Sequence, residues 1–436
     1  MAGLRESLAR LRKMRAVFER QLAAAAERAP PQLPSGAGRL HEIASFGSNP
    51  GNLRMFTYAP PKLPAAPALV VALHGCTQTA NAYDRGSGWS ELADAHGFVV
   101  VCPEQQRGNN PNACFNWFLL SAVGRGQGEA LSIRQMVERA IHDHGIDRRR
   151  VFIGGLSAGG AMASAMLAAY PEVFAGGAII AGLPYGCATD VQQAFQAMAR
   201  GRDYDGRTWG NLVRSASPHR GPWPKLSIWH GTADTIVNPK NMEDSLGQWL
   251  DVHGLPAQPV LEQTLENYSR RLWRNAANQD VIEAIAVRGM DHGVPLAAGQ
   301  GPECCGNAGP FHFDVGLSCG HHIVEFWGLA RRPAMIESDA WAATRHVPIA
   351  ISPELPVFGA TQSADAGPPS CWGAQRRAEH DRGAGAETYD PRPAIAAALK
   401  AAGLLGDKPT GDTGSKPLDP RNVITAALRS VGLLKD

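Results

Sequence analysis

From about residue 40 to 330 the chain alternates short apolar runs with stretches of helical periodicity. The apolar runs are Leu53–Tyr58, Ala68–Leu73, Phe98–Cys102, Val151–Ile153, Gly177–Ala181, Leu226–Trp229 and Val281–Val287. Helical spacing of apolar positions falls at Trp89–His96, Glu129–His144, Gly160–Tyr170 and Asn241–His253. Strands separated by helices predict an α/β fold with a mostly parallel central sheet and helices on both faces. Ligands in such sheets bind beyond the carboxyl ends of the strands.

The flanks read differently. In residues 1–37, Leu4, Leu8, Leu11 and Val17 recur at helical spacing, and a Pro/Gly-rich joint follows. This predicts an N-terminal amphipathic helix. Residues 331–389 lose the rhythm and read as a Pro-, Gly-, Ser- and Ala-rich linker. Residues 390–436 hold a tandem repeat: Asp390-Pro391-Arg392 to Gly403-Leu404-Leu405 recurs as Asp419-Pro420-Arg421 to Gly432-Leu433-Leu434. In each copy Asp caps a short helix, Pro occupies its first turn and Gly ends it. A helix this short needs a surface to dock on. Two readings stay open: packing on the chain's own catalytic domain, or a bivalent tether to a partner or an apolar particle surface.

Composition narrows the partners. The 436 residues carry a formal net charge of +2, which points to no nucleic acid. Arg148-Arg149-Arg150 is the one tight basic run, and it directly precedes an apolar strand. No apolar run approaches the ~18 residues of a transmembrane segment. Arg5, Glu6, Arg10, Arg12 and Lys13 break up the apolar positions that a secretory leader would need. The expectation is therefore a cytoplasmic protein, with secretion as the alternative. Eight cysteines in a chain of this length do not make a disulfide scaffold.

The chemistry concentrates at Gly155-Leu156-Ser157-Ala158-Gly159, a G-x-S-x-G pentapeptide between the Val151 strand and an alanine-rich helix. A turn this sharp brings two backbones together, so its flanking positions need glycine. The turn lifts the Ser157 hydroxyl above the sheet and places a helix N-terminus behind it. A serine needs a base to act as nucleophile. In this fold type the acid and then the histidine follow later in the chain. Asp234, after the Leu226 strand, and His292, after the Val281 strand, satisfy that order. Asp291 is the rival acid and His230 the rival base. Ala158, just after the nucleophile, is expected to donate one oxyanion-hole amide. Cys76, in the His74-Gly75-Cys76 turn after the Ala68 strand, is expected to donate the other. Such chemistry needs no cofactor.

Several blocks resemble polyhydroxybutyrate depolymerase-type esterases. They are Leu73-His74-Gly75-Cys76-Thr77-Gln78, Ala93-Asp94 to Gly97-Phe98, Cys102-Pro103-Glu104-Gln105, Cys114-Phe115-Asn116-Trp117-Phe118, Gly154 to Gly160, Ala181-Gly182-Leu183-Pro184-Tyr185-Gly186 and His230 to Pro239, with the His292 loop. The similarity spans roughly residues 40–330, within an expected catalytic domain of 38–330. It implies a lidless α/β-hydrolase and a serine carboxylesterase acting through Ser157, Asp234 and His292. The substrate it implies is a short-chain polyhydroxyalkanoate or, in sister families, a feruloyl or acetyl ester on plant polysaccharide. It also implies a Cys76–Cys114 disulfide, with two reduced thiols as the alternative.

Trp117 and Tyr185 are candidates for lining an acyl cleft, against simple core packing. Cys304-Cys305 to Cys319-Gly320-His321-His322 lacks the paired spacing of a zinc site, so a structural loop and no metal are expected. The expected partner is an ester substrate, polymeric or oligomeric, with the C-terminal repeats docking a partner or a polyester granule. A non-catalytic granule-associated scaffold is the alternative of another class. The intact Ser, Asp and His set argues against it.

Overall fold

The computed structural model describes residues 2–27, 38–299 and 301–330. The linker at 331–389 and the tandem repeat at 390–436 lie outside the described residues. A long helix, α1 (Ala2–Glu27), comes first, then strands β1 (His41–Ile43), β2 (Arg54–Tyr58) and β3 (Ala68–Leu73). Next are α2 (Ala80–Ser87), α3 (Trp89–His96), β4 (Phe98–Glu104), α4 (Leu120–Val123) and α5 (Gly128–His144). The middle of the chain forms β5 (Val151–Leu156), α6 (Ala158–Ala169), β6 (Gly176–Ile180), α7 (Val191–Arg200) and α8 (Gly206–Ala216). Then follow β7 (Lys225–Gly231), α9 (Lys240–His253), β8 (Leu261–Thr264), β9 (Tyr268–Arg274) and β10 (Asp280–Val287). Two short strands, β11 (Val294–Leu296) and β12 (His312–Asp314), and a last helix, α10 (Cys319–Trp327), complete the described part.

Ten strands make one sheet in the order β1-β2-β4-β3-β5-β6-β7-β10-β9-β8. The six central strands, β4 to β10 in that order, run parallel. Antiparallel pairs close both edges. Every residue of β3 is buried, because both faces of the strand are covered. Val70 joins the core on one face, while Leu69 and Val71 join the core on the other. Helix α6 explains itself in the same way: all its residues are buried, so it carries no polar stripe.

The expected strands are all present, and several run longer than apolar character alone indicates. β5 runs on through Gly154-Gly155 to Leu156, and β4 to Glu104. Three register pairs set the strand ends level: Leu73 with Gly155, Ile180 with Trp229 and Val287 with Gly231. The loops after β3, β5, β7 and β10 therefore emerge on one rim of the sheet. No helix among the described residues is long and apolar enough to cross a membrane.

Helix α1 is anchored at Phe18, Gln21 and Leu22. Phe18 and Leu22 are buried, and the Phe18 ring meets Phe195 of α7 edge-on at 5.5 Å. Gln21 Nε2 donates to the Thr235 carbonyl at 3.0 Å, so the helix touches the loop that follows β7.

Candidate active site

Between β5 and α6 the chain reverses at a single residue. Ser157 has φ +58° and ψ −118°, a region that costs a non-glycine residue about 1–3 kcal/mol. Its N–H donates to the Ile180 carbonyl at 2.8 Å. The flanking glycines are sterically required. A Cβ on Gly155 would lie 2.6 Å from the Leu73 carbonyl oxygen. One on Gly159 would lie 2.2 Å from that oxygen and 2.5 Å from the His74 carbonyl oxygen. The same contacts show that the start of α6 is stacked directly on the turn after β3.

That turn is itself tightly held. His74 is completely buried; its Nδ1 donates to the Gly75 carbonyl at 2.7 Å, and its Nε2 accepts the Gln105 N–H at 3.0 Å. Burial pushes its pKa down to about 4, and the bond to Gly75 only partly opposes this, so the ring stays neutral. Gly75 N–H donates to Gln78 Oε1 at 2.8 Å. The peptide joining Gly75 to Cys76 is thus fixed at its carbonyl, and its N–H belongs to Cys76. Cys76 is bonded to Cys114 in a disulfide with Cα atoms 4.3 Å apart, and Thr77 N–H donates to the Asn112 carbonyl at 2.7 Å. Two bonds therefore tie the turn to the Asn112–Asn116 segment. Asn116 in turn donates twice to the buried Glu129 carboxylate, whose pKa burial raises to about 7 against the pull of those donors.

The loops after β7 and β10 are knitted together. Thr232 N–H donates to the Val287 carbonyl at 2.9 Å, and Ala233 N–H to the Met290 carbonyl at 3.0 Å. At their centre, His292 Nδ1 donates to Asp234 Oδ2 at 2.7 Å. The other oxygen, Oδ1, accepts the N–H groups of Ile236 at 2.9 Å and Val237 at 2.8 Å. His230 Nε2 lies 2.9 Å from the Val237 carbonyl and 3.1 Å from Asp234 Oδ2. Both neighbours are acceptors, so this nitrogen carries the proton and serves them both. Burial pushes the Asp234 pKa up. The adjacent His292 and the hydrogen bonds from His230 and His292 outweigh it and hold the group well below the usual carboxylate range. A buried, ionised carboxylate on Nδ1 fixes the imidazole tautomer and leaves Nε2 as the nitrogen that can take a proton.

The rival residues lie close by in other positions. His230 is a donor to Asp234 Oδ2, the same oxygen that His292 bonds. Asp291 Oδ1 accepts the backbone N–H of His292 at 2.8 Å and two hydrogen bonds from Thr235. The i, i+4 spacing of His230 and Asp234 is the sequence signal for the first contact. For the second, and for Gln21 on Thr235, no local signal exists.

The two aromatic candidates separate. Trp117 is 8% exposed, meets Phe118 edge-on at 5.3 Å and shares a core with Cys76 and Cys114. Tyr185 packs against the core on the opposite face of the sheet. Its backbone is clamped by Gln248, which accepts from Tyr185 N–H at 3.0 Å and donates to the Tyr185 carbonyl at 2.9 Å. In the cysteine-rich stretch, Cys305 and Cys319 are buried thiols, and Cys305 Sγ lies 3.2 Å from Ser318 Oγ.

A family model described as esterase PHB depolymerase matches residues 55–259. The poly(3-hydroxyalkanoate) depolymerase C of Paucimonas lemoignei is 46% identical over 291 residues, covering 66% of this chain and 70% of the relative. An acetylxylan esterase of Coprinopsis cinerea is 34% identical over 272 residues, covering 61% of this chain and 71% of the relative. Among solved structures, the acetyl xylan esterase from Aspergillus awamori superposes with a TM-score of 0.57 at 27% identity, covering 67% of this chain and 100% of that one.

Proposed function

Because this chain belongs to the esterase PHB depolymerase family, whose named relatives hydrolyse esters, we propose that it cleaves short-chain polyhydroxyalkanoate esters or oligomers with Ser157, His292 and Asp234. The chain is a serine carboxylesterase of the α/β-hydrolase fold. In the proposed reaction, His292 Nε2 takes the Ser157 proton as Oγ attacks the ester carbonyl. The N–H groups of Cys76 and Ala158 receive the oxyanion. His292 then protonates the departing alkoxide, and the acyl group stays on Ser157 until water, deprotonated by the same imidazole, releases it.

The observation that carries this reading is the buried Asp234–His292 pair at 2.7 Å, on the same rim as a strained serine. The choice of substrate rests on the Paucimonas lemoignei depolymerase being the more similar of the two curated relatives. The second reading is an acetyl or feruloyl esterase acting on a carbohydrate, which the acetylxylan esterase relatives favour. The tandem repeat fits a tether that keeps the enzyme at a polymer surface. A substrate panel tests the reading: amorphous polyhydroxybutyrate, its dimer, a feruloyl ester and an acetylated xylan. The expected result is the highest kcat/KM on the hydroxybutyrate dimer. A preference for acetylated xylan selects the second reading.

A further inference from the structure

Asp291 directly precedes His292 in sequence, yet the two side chains do different things. The imidazole Nδ1 goes to Asp234. The Asp291 carboxylate turns to Thr235, the residue after the acid. Its Oδ1 accepts Thr235 N–H at 2.9 Å, Thr235 Oγ1–H at 3.0 Å and His292 N–H at 2.8 Å. One oxygen thus holds the loop after β7 and the loop after β10 together, one residue away from the acid and from the histidine.

The loop around Asp234 is divided by this contact. The N–H groups of Ile236 and Val237 point inward to Asp234 Oδ1. The N–H of Thr235 points outward to Asp291. Without an acceptor at 291, the Thr235 N–H would need another partner. A short turn can supply one only by rotating its peptides, which would carry the Asp234 carboxylate with them.

We propose that Asp291 is a positioning residue, whose carboxylate fastens the acid loop to the histidine loop and so sets the Asp234–His292 hydrogen bond before substrate binds. The proposal rests on the triad reading above. It requires a hydrogen-bond acceptor at position 291, charged or neutral. Displacing a reacting group by about 1 Å can cost on the order of 100-fold in rate, so a slack loop lowers kcat and leaves substrate binding alone.

The test compares Asp291→Ala, Asp291→Asn, Thr235→Val and Asp234→Asn on p-nitrophenyl butyrate, with thermal unfolding of each. Asp291→Ala is expected to lose on the order of 10- to 100-fold in kcat with KM within about twofold. Asp291→Asn keeps the Oδ1 acceptor and is expected to stay within about threefold of wild type. Thr235→Val removes one of the three bonds and should fall between the two. Wild-type kcat in Asp291→Ala overturns the clamp. So does a loss in Asp291→Asn as deep as that in Asp234→Asn, since the charge would then be what matters. If Asp291→Ala does not fold, Thr235→Val decides: lowered kcat at constant KM supports the clamp, and unchanged kcat overturns it. Failure of the underlying triad reading is seen separately, as wild-type turnover by Asp234→Asn.

Discussion

Asp234 Oδ2 accepts the Nδ1 proton of His292 at 2.7 Å, and each of the two side chains is within 2% of full burial. A hydrogen bond of this kind between an anion and a ring donor is roughly twice as strong as a neutral one. Kept from water, it fixes which ring nitrogen is left to act as base.

Asp234→Asn should therefore reduce kcat by about 10⁴ without loss of fold, because the amide cannot hold the correct tautomer. Ser157→Ala should cost about 10⁶ in turnover on p-nitrophenyl butyrate. Circular dichroism and thermal melting check that both variants remain folded. Wild-type turnover by Ser157→Ala would refute the nucleophile assignment.

The disulfide of Cys76 restrains the backbone proposed to bind the oxyanion. It closes a loop of 38 residues, for which chain entropy gives about 4 kcal/mol of stabilisation. Cys114→Ser, or reduction of the wild type, is expected to lower the melting temperature and to reduce kcat more than KM rises. An unchanged kcat under a reductant that demonstrably opens the bond would show that His74 and Gln78 hold the turn without help.

Buried histidines make the fold sensitive to acid. His253 lies at the end of α9, far along the chain from the loops of the site, and its Nε2 donates to the Pro224 carbonyl at 3.1 Å. Burial lowers its pKa to about 4, against that bond. The ordinary histidine value is about 6.5. Below that value the unfolded chain binds a proton that the folded chain refuses. Stability from this group is thus complete above about pH 6.5 and is lost as pH falls toward 4. His253→Gln should flatten the decline of the urea midpoint between pH 7 and 5 by about one proton, with esterase activity at pH 8 unchanged. An equal slope in the variant counts against a buried neutral ring.

The repeat at 390–436 is expected to act at polymer and not at soluble ester. Deleting it should leave p-nitrophenyl butyrate turnover unchanged and reduce co-sedimentation with amorphous polyhydroxybutyrate granules. Equal pelleting of the full and shortened chains would remove the tether reading and leave docking on the catalytic domain.

What was legible in sequence follows the physics of each element. Ala68–Leu73 is an unbroken apolar run because both its faces are covered, and Gly155 and Gly159 are glycines because carbonyl oxygens lie where a Cβ would be. The β8–β9 hairpin carries no such signal. In Tyr268–Arg274 charges interrupt the pattern, and the adjacent Leu272 and Trp273 are both buried, so no alternation is left to see. Helices α7 and α8 lie in the long segment between β6 and β7 and bury few residues each, Ala194 and Ala197 in one and Trp209, Gly210 and Val213 in the other. In the candidate site, the acid and the histidine were visible as single residues on loops past strand ends. The part played by Asp291 was not, since it depends on which way a half-buried side chain turns.

The bond from Gln21 to the carbonyl of Thr235 makes the amino-terminal helix a prop for the loop that carries Asp234. A chain that begins after residue 37 would lack that prop and keep every residue of the proposed triad. Expression variants that begin after residue 37 therefore alter the enzyme at its acid loop. Their rates should not stand in for those of a chain that keeps α1.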